Sequence, residues 1–344
     1  MAESNDDLVG INEIADMAGV SRQAVANWRV RFANFPRPVV ELKAGPIFHR
    51  SQIRAWLRKR RVPMAHVVAT INLKGGVGKT HSTVAIAEVL SAHRHKRVLV
   101  IDLDPQTNAT TMLIGEDRWK KLNERGHTLA QLFKDALDPD NAKFDLAKTL
   151  QKKVSDVREV TTVDLLPSSL DLIDVQDRLA TIPSGKFFEA NPIAILQRAV
   201  KSILDDYDLV LIDCPPNLGI ITLNGLRISN GYIIPTIPDI LSTYGIPQIV
   251  KRIGEFSSKI GENIDPLGIV ISKFRVQSTV HQNTTKQLRQ EKDAPCFKTV
   301  IPESNSISGS AETVEGERTL KQKYGYKGEP ETYLALADEI WAKL

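Results

Sequence analysis

The stretch TINLKGGVGKTHSTVA, residues 70–85, decides how the rest of the chain is read. Its middle, Gly78-Lys79-Thr80, has the outline of the end of a phosphate-binding loop, G-x-x-x-x-G-K-[ST]. Counting back, the first glycine position holds Leu73, and a second lysine, Lys74, follows it. Gly75, Gly76 and Gly78 still allow backbone to approach a phosphate closely, so the deviation is not damage. Lys74 is the added feature. Its charge has no evident purpose within one chain and acquires one if a second subunit's phosphates complete its surroundings.

The context is that of a nucleotide site. HVVATIN (66–72) reads as a buried strand, STVAIAEVLSAH (82–93) as a helix, and RVLVID (97–102) as the next strand. Backbone N–H groups of Gly75, Gly76, Val77, Gly78, Lys79 and Thr80, with the helix N-terminus that His81 joins, would cradle a triphosphate. Lys79 would neutralise the β/γ oxygens and the Thr80 hydroxyl would ligate Mg²⁺. In DLVLIDCPPNLG (208–219), Asp213 ends an apolar strand where an acid can hold the metal through water. In VIDLDPQTNAT (100–110), Asp102 and Asp104 are one residue apart, which on extended backbone aims both at the γ-phosphate. One would orient the attacking water and the other support the metal shell.

KGGVGKT, DLDPQTNAT and DCPPNLGIITLNGL, in that order, resemble the ParA/Soj partition ATPases of the deviant-Walker-A class, which includes MinD. The resemblance runs from about residue 66 to the C-terminus and is weakest over 115–160. It implies a doubly wound, mostly parallel α/β sheet of the P-loop NTPase kind, and a dimer sandwiched around two ATP molecules with Mg²⁺. Within it Lys74 matches the lysine that reaches the partner's phosphates, Asp104 the catalytic acid, and Asp213 the Walker B acid. Lys79 and Thr80 match the loop lysine and Mg²⁺ ligand, and Pro302 falls where relatives contact adenine. It further implies nonspecific DNA binding and stimulation by a ParB-like centromere-binding protein.

The first sixty-odd residues differ in character. Between Arg22 and Arg61 eleven Lys/Arg stand against one acid, Glu41, although the whole chain carries only +4. In INEIADMAGVSRQAVANW (11–28), Ile14, Ala15 and Ala18 form one helix face, Gly19-Val20 a turn, and Ser21 an N-cap for a helix burying Val25 and Trp28. Arg22, Gln23, Asn27 and Arg29 would point outward, side chains suited to base edges and phosphates. FPRPVVELKAGPIFHR (35–50) reads as two short strands around Ala44-Gly45, and SQIRAWLRKRR (51–61) as a basic helix capped by Ser51. Together these resemble MerR- or excisionase-type winged helix-turn-helix domains, with a polar-faced helical hairpin as the plainer reading. The expected division is 1–62 and 63–344, with RKRRVPM (58–64) as linker. A winged domain ahead of the ATPase suggests the larger plasmid-type ParA proteins, which repress their own operon.

Relatives carry an arginine after the IPxN turn for nonspecific DNA binding, where this chain has Ser306. Arg318, Lys321 and Lys323 are the expected replacement. Arg275, Lys286, Arg289 and Lys292 are the alternative, and either set can equally be a solvated face. The final YLALADEIWAKL (333–344) has two acids and one lysine, which argues against a membrane-binding helix. Cys214 and Cys296 form no C-x-x-C, and no apolar run reaches membrane-spanning length. A cytoplasmic, nucleoid-associated partition ATPase is expected. The alternative is a transcriptional regulator that uses ATP only as a conformational ligand.

Overall fold

The computed structural model describes residues 8–18, 21–32, 34–43, 45–59, 65–181, 191–314 and 316–344. The chain forms two compact units, 1–65 with 200–208, and 66–199 with 209–344.

In the first unit, β1 (Leu8–Val9), β2 (Val40–Leu42) and β3 (Gly45–His49) make an antiparallel sheet in the order β1-β3-β2. Helices α1 (Ile11–Ala18), α2 (Arg22–Arg31) and α3 (Arg50–Lys59) pack on it. Ile14, Ala15, Val25 and Trp28 are buried as the spacing requires, while Ala18 is only half-buried. An aromatic cluster supplies much of the rest of this core. Trp56 lies 4.7 Å from Phe35 edge-on and 5.6 Å from Trp28, and Phe35 meets Phe48 at 5.5 Å. Such pairs add to the apolar burial that a small core would otherwise lack. Ser21 caps α2, its Oγ accepting from Ala24 N at 3.1 Å. Ser51 is no cap, because α3 already begins at Arg50. Strand β1 was not anticipated. Gly19, Val20, Ala44 and 60–64 of the expected linker lie outside the described residues.

In the second unit seven strands form one parallel sheet: β4 (His66–Thr70), β5 (Val98–Asp102), β6 (Val163–Leu166), β7 (Leu209–Asp213), β8 (Gly231–Thr236), β9 (Asp265–Phe274) and β10 (Cys296–Pro302). Their order is β10-β9-β8-β4-β7-β5-β6. Every residue of β5, β7 and β8 is buried, which is why β5 and β7 read as apolar runs closed by an aspartate rather than as alternating strands. From β4 the chain moves outward to β5 and β6, returns to insert β7, then continues on the other side of β4 as β8. Ligands bind outside the carboxyl ends of the strands at such a reversal. The register lays Thr70, Asp213 and Asp102 side by side at that edge. Helix α4 (Lys79–Arg94) leaves β4 through the glycine loop, and α5 (Asn108–Ile114) follows β5.

The C-terminal part is tied to α4 by a buried charge network. On the short helix α7 (Leu320–Tyr324; α6 is Ile240–Ile260), Lys323 Nζ contacts Glu88 Oε1 at 2.8 Å and Asp156 Oδ1 at 3.0 Å. It also donates to Met112 O at 3.3 Å, and Tyr324 donates to Glu88 Oε2 at 2.7 Å. Arg318 meets Asp156 Oδ2 at 2.8 Å with both side chains nearly covered. This corrects the expectation that Arg318, Lys321 and Lys323 form a DNA-binding surface. Lys323 is 2% exposed and Arg318 is committed to a buried carboxylate, so neither can meet a phosphate. Lys321 alone is exposed, 3.7 Å from Glu331. The closing helix α8 (Glu329–Trp341) buries Tyr333, Leu336, Ala337 and Ile340 and is a packed helix, as its sequence implies. No helix among the described residues is long and apolar enough to cross a membrane.

Because Lys323 neutralises two buried carboxylates, removing it exposes their mutual repulsion. Lys323→Met should cost about 3–5 kcal/mol. The check is a lowered urea midpoint at unchanged slope; a wild-type midpoint contradicts the assignment.

Candidate functional site: the glycine-loop cleft

A cleft of about 450 Å³ opens beyond the carboxyl ends of β4, β5 and β7. Gly75, Gly76, Gly78, Lys79, Thr80, His81 and Asp104 line it, so sequence positions 75 to 104 converge as expected. Gly76 and Gly78 adopt φ of +72° and +84°, the left-handed region that glycine enters at little cost. A Cβ added to Gly75 or Gly76 would meet nothing within 4 Å, because both face open cleft. The loop is braced from behind: Ser272 Oγ at the end of β9 donates to Val77 O at 2.6 Å.

Lys79 is 6% exposed and its Nζ donates to Lys74 O at 3.3 Å, folding the side chain back over the loop. Thr80 Oγ1 donates to Asp213 Oδ2 at 2.7 Å. Asp213 is fully buried, and its other oxygen, Oδ1, has no hydrogen-bond partner. Burial raises the Asp213 carboxyl well above the usual range, with Asp102 next to it adding repulsion. An ionised carboxylate with an orphaned buried oxygen is costly, and a cation or its water removes that cost.

Asp104 is 6% exposed and lines the cleft. Its Oδ1 accepts from Gln106 N at 2.9 Å. Burial raises its pKa, opposed by that bond and by the Lys79 charge. Asp102 corrects the sequence expectation. It is the last residue of β5, the backbone turns immediately after it, and its carboxylate faces inward. Oδ1 accepts from Asp104 N at 3.0 Å, and Oδ2 accepts from Thr110 N at 2.9 Å and Thr110 Oγ1 at 2.6 Å. Burial lifts its pKa to about 7. With both oxygens taken by protein donors, Asp102 shapes the loop, and its expected place in a metal shell is not supported.

Pro302 ends β10 opposite Phe274 and does not line the cleft either. Lys74 also departs from expectation. Its Nζ is paired with Asp239, the N-cap of α6, in the same chain, so its charge is not without purpose in a monomer. The side chain stays 43% exposed. Sequence reading missed Gln106, Asn108, Thr111, Met112, Pro216, Lys273 and Ala311 on the cleft wall. The first three lie inside the DPQTNAT segment and just past it, where the acid carries the stronger chemical signal. Lys273, at a strained φ of 49°, and Ala311 arrive from far along the chain with no local signal.

Of the expected DNA-reading residues in the first unit, Arg22 and Gln23 on α2 are exposed. Asn27 is half-buried, accepting from Gln23 Nε2 at 3.2 Å while its own Nδ2 has no partner. Arg29 is paired with Glu41 on β2 at 2.6 Å, which engages it within its own unit. Val30 on the same helix is 91% exposed.

Comparison with known proteins agrees with this geometry. A family model described as "AAA domain" matches residues 65–265. An uncharacterized protein of Pseudomonas putida strain KT2440 is 32% identical over 277 residues, spanning 80% of this chain and 95% of that protein. The chromosome-partitioning ATPase Soj of Thermus thermophilus is 28% identical, over 80% of this chain and 96% of its own. Among solved structures, cobyrinic acid a,c-diamide synthase of Mycobacterium smegmatis with bound ADP and magnesium superposes with a TM-score of 0.60 at 25% identity, over 80% of this chain and 93% of that one. With the glycine loop, the Thr80–Asp213 contact and a match over more than half its length, the chain belongs to the AAA-domain family, among the ATPases of the ParA/MinD type.

Proposed function

We propose that this chain is an ATP-hydrolysing DNA-partition protein that dimerises around Mg²⁺-ATP. The observation that carries the nucleotide half is the Thr80 hydroxyl, which lines the glycine-walled cleft beside Lys79 and donates to buried Asp213, whose Oδ1 has no hydrogen-bond partner. That donor set fits a hard divalent cation, which takes oxygen ligands and retains waters. Thr80 would bind the metal directly and Asp213 through water. When bound, the metal would supply positive charge to offset that of the phosphates. The backbone from Gly75 to Thr80 holds the phosphates, Lys79 turns from Lys74 O to the β/γ oxygens, and His81 sits at the start of α4 beside them. Asp104 orients the attacking water from the opposite wall. The ADP and magnesium in the Mycobacterium relative and the name of the Thermus relative support this reading.

Lys74 is the dimer element: released from Asp239, its exposed ammonium reaches the phosphates of a second copy. The basic first unit binds operator DNA through Arg22 and Gln23, and the ATPase unit binds DNA nonspecifically. With Arg318 and Lys323 buried, the exposed cations Lys286, Arg289 and Lys292 are the better surface for the latter. A ParB-like protein stimulates hydrolysis. A second reading, a transcriptional regulator in which ATP is only a conformational ligand, rests on that first unit.

Asp104→Ala should leave ATP affinity within about threefold and lower hydrolysis at least about 100-fold. Cargo DNA that still partitions normally with this variant favours the regulator. Lys74→Gln should preserve nucleotide binding by single chains while abolishing the ATP-dependent dimer in light scattering; normal dimers give Lys74 another role. Arg22→Ala should weaken binding to one operator sequence selectively, by about 1–3 kcal/mol, with ATPase activity unchanged. Equal weakening on all sequences assigns it to phosphate contact without readout.

A further inference from the structure

Asp104 can orient a water only if the backbone that carries it is fixed, and that backbone is held from an element the function has not yet used. Past β6, the chain reads PSSL over 167–170. Ser168 is fully buried, and its Oγ donates to Asp104 O at 2.7 Å. Ser168 is itself pinned at both backbone atoms. Its N–H donates to Thr110 Oγ1 at 3.0 Å, and its carbonyl accepts from Trp119 Nε1 at 3.1 Å. Thr110 Oγ1 in turn donates to Asp102 Oδ2, while Asp102 Oδ1 accepts from Asp104 N. The result is a closed ring of hydrogen bonds: Ser168, Asp104, Asp102, Thr110 and back to Ser168. It grips Asp104 at both N and O and leaves only the side chain facing the cleft.

We infer that Ser168 is a positioning residue for hydrolysis, holding the Asp104 carboxylate at its working place without touching the nucleotide. This rests on the hydrolytic reading above. The hydroxyl does something an alanine could not. Without it the Asp104 carbonyl keeps only its turn contact from Thr107 N at 2.9 Å, and the ring opens on one side. The phosphate cradle, built from residues 75 to 80, has no part in the ring, so nucleotide affinity should be insensitive to the change.

The test is steady-state Mg²⁺-ATP hydrolysis by the full chain, with ATP affinity measured separately. Ser168→Ala should lower kcat about 10- to 100-fold, as small displacements of a catalytic group do, with ATP affinity within about twofold of wild type. Ser168→Thr, which keeps the hydroxyl, should recover activity. Ser168→Cys has similar volume but is a weak donor, and it takes the place of alanine with the same expectation should the alanine chain not hold its fold. Ser91→Ala removes an equally buried hydroxyl, which accepts from Thr161 N and Thr162 N away from the cleft, and should leave kcat unchanged. In an Asp104→Ala background, Ser168→Ala should cause no further loss, because the two act as one unit. Wild-type kcat in Ser168→Ala, or an additive loss in the double variant, overturns the assignment while hydrolysis itself stands. Absence of turnover in the wild type removes the hydrolytic reading and this one with it.

Discussion

The site depends on a register. Three parallel strands, β4, β7 and β5, end level with one another, so Thr70, Asp213 and Asp102 form a row at the carboxyl edge of the sheet. Parallel strands buried on both faces cannot slip without moving every apolar residue, so the edge is set by the whole core. Everything chemical hangs from that row. The glycine loop springs from β4, Asp213 meets Thr80 where the loop becomes a helix, and the Asp104 segment is pinned to Asp102. Two carboxylates side by side at full burial are unfavourable in isolation, and burial raises both. Asp102 is satisfied by three protein donors, whereas Asp213 keeps one oxygen without a partner. That asymmetry divides the pair into one residue that builds the loop and one whose second oxygen the described residues do not engage.

The parts of the molecule that were readable from sequence share a physical reason. Strands β4, β5 and β7 are buried on both sides and therefore appear as runs such as LVLI at 209–212, with the acid marking where β5 and β7 end. Glycines needing positive φ cannot be disguised, so the phosphate loop announced itself. The first unit was legible in outline because Val25 and Trp28 must face inward from a helix that Ser21 starts.

What failed depended on direction and on distance. Strand alternation places Asp102 and Asp104 on one side, but the strand ends at Asp102, and alternation ceases to apply there. Lys323 sits in a polar, charged stretch with the look of a solvated face. Its burial is decided by Glu88 and Asp156, which lie 235 and 167 residues away. The pairing of Lys74 with Asp239 is equally nonlocal, joining positions 165 residues apart. It recasts that lysine from a spare charge to a paired one. Ser168 belongs to the same class, since nothing in PSSL signals a bond to a carbonyl 64 residues earlier.

If the Thr80–Asp213 pair is a metal-nucleotide site and not a structural contact, it must couple ATP affinity to Mg²⁺. Equilibrium binding of ATP in Mg²⁺ and in EDTA, for wild type and for Asp213→Asn, tests it most directly. Mg²⁺ should tighten ATP binding to the wild type, and the substitution should remove this dependence while the fold persists. ATP affinity that is equal with and without Mg²⁺ in the wild type would contradict it.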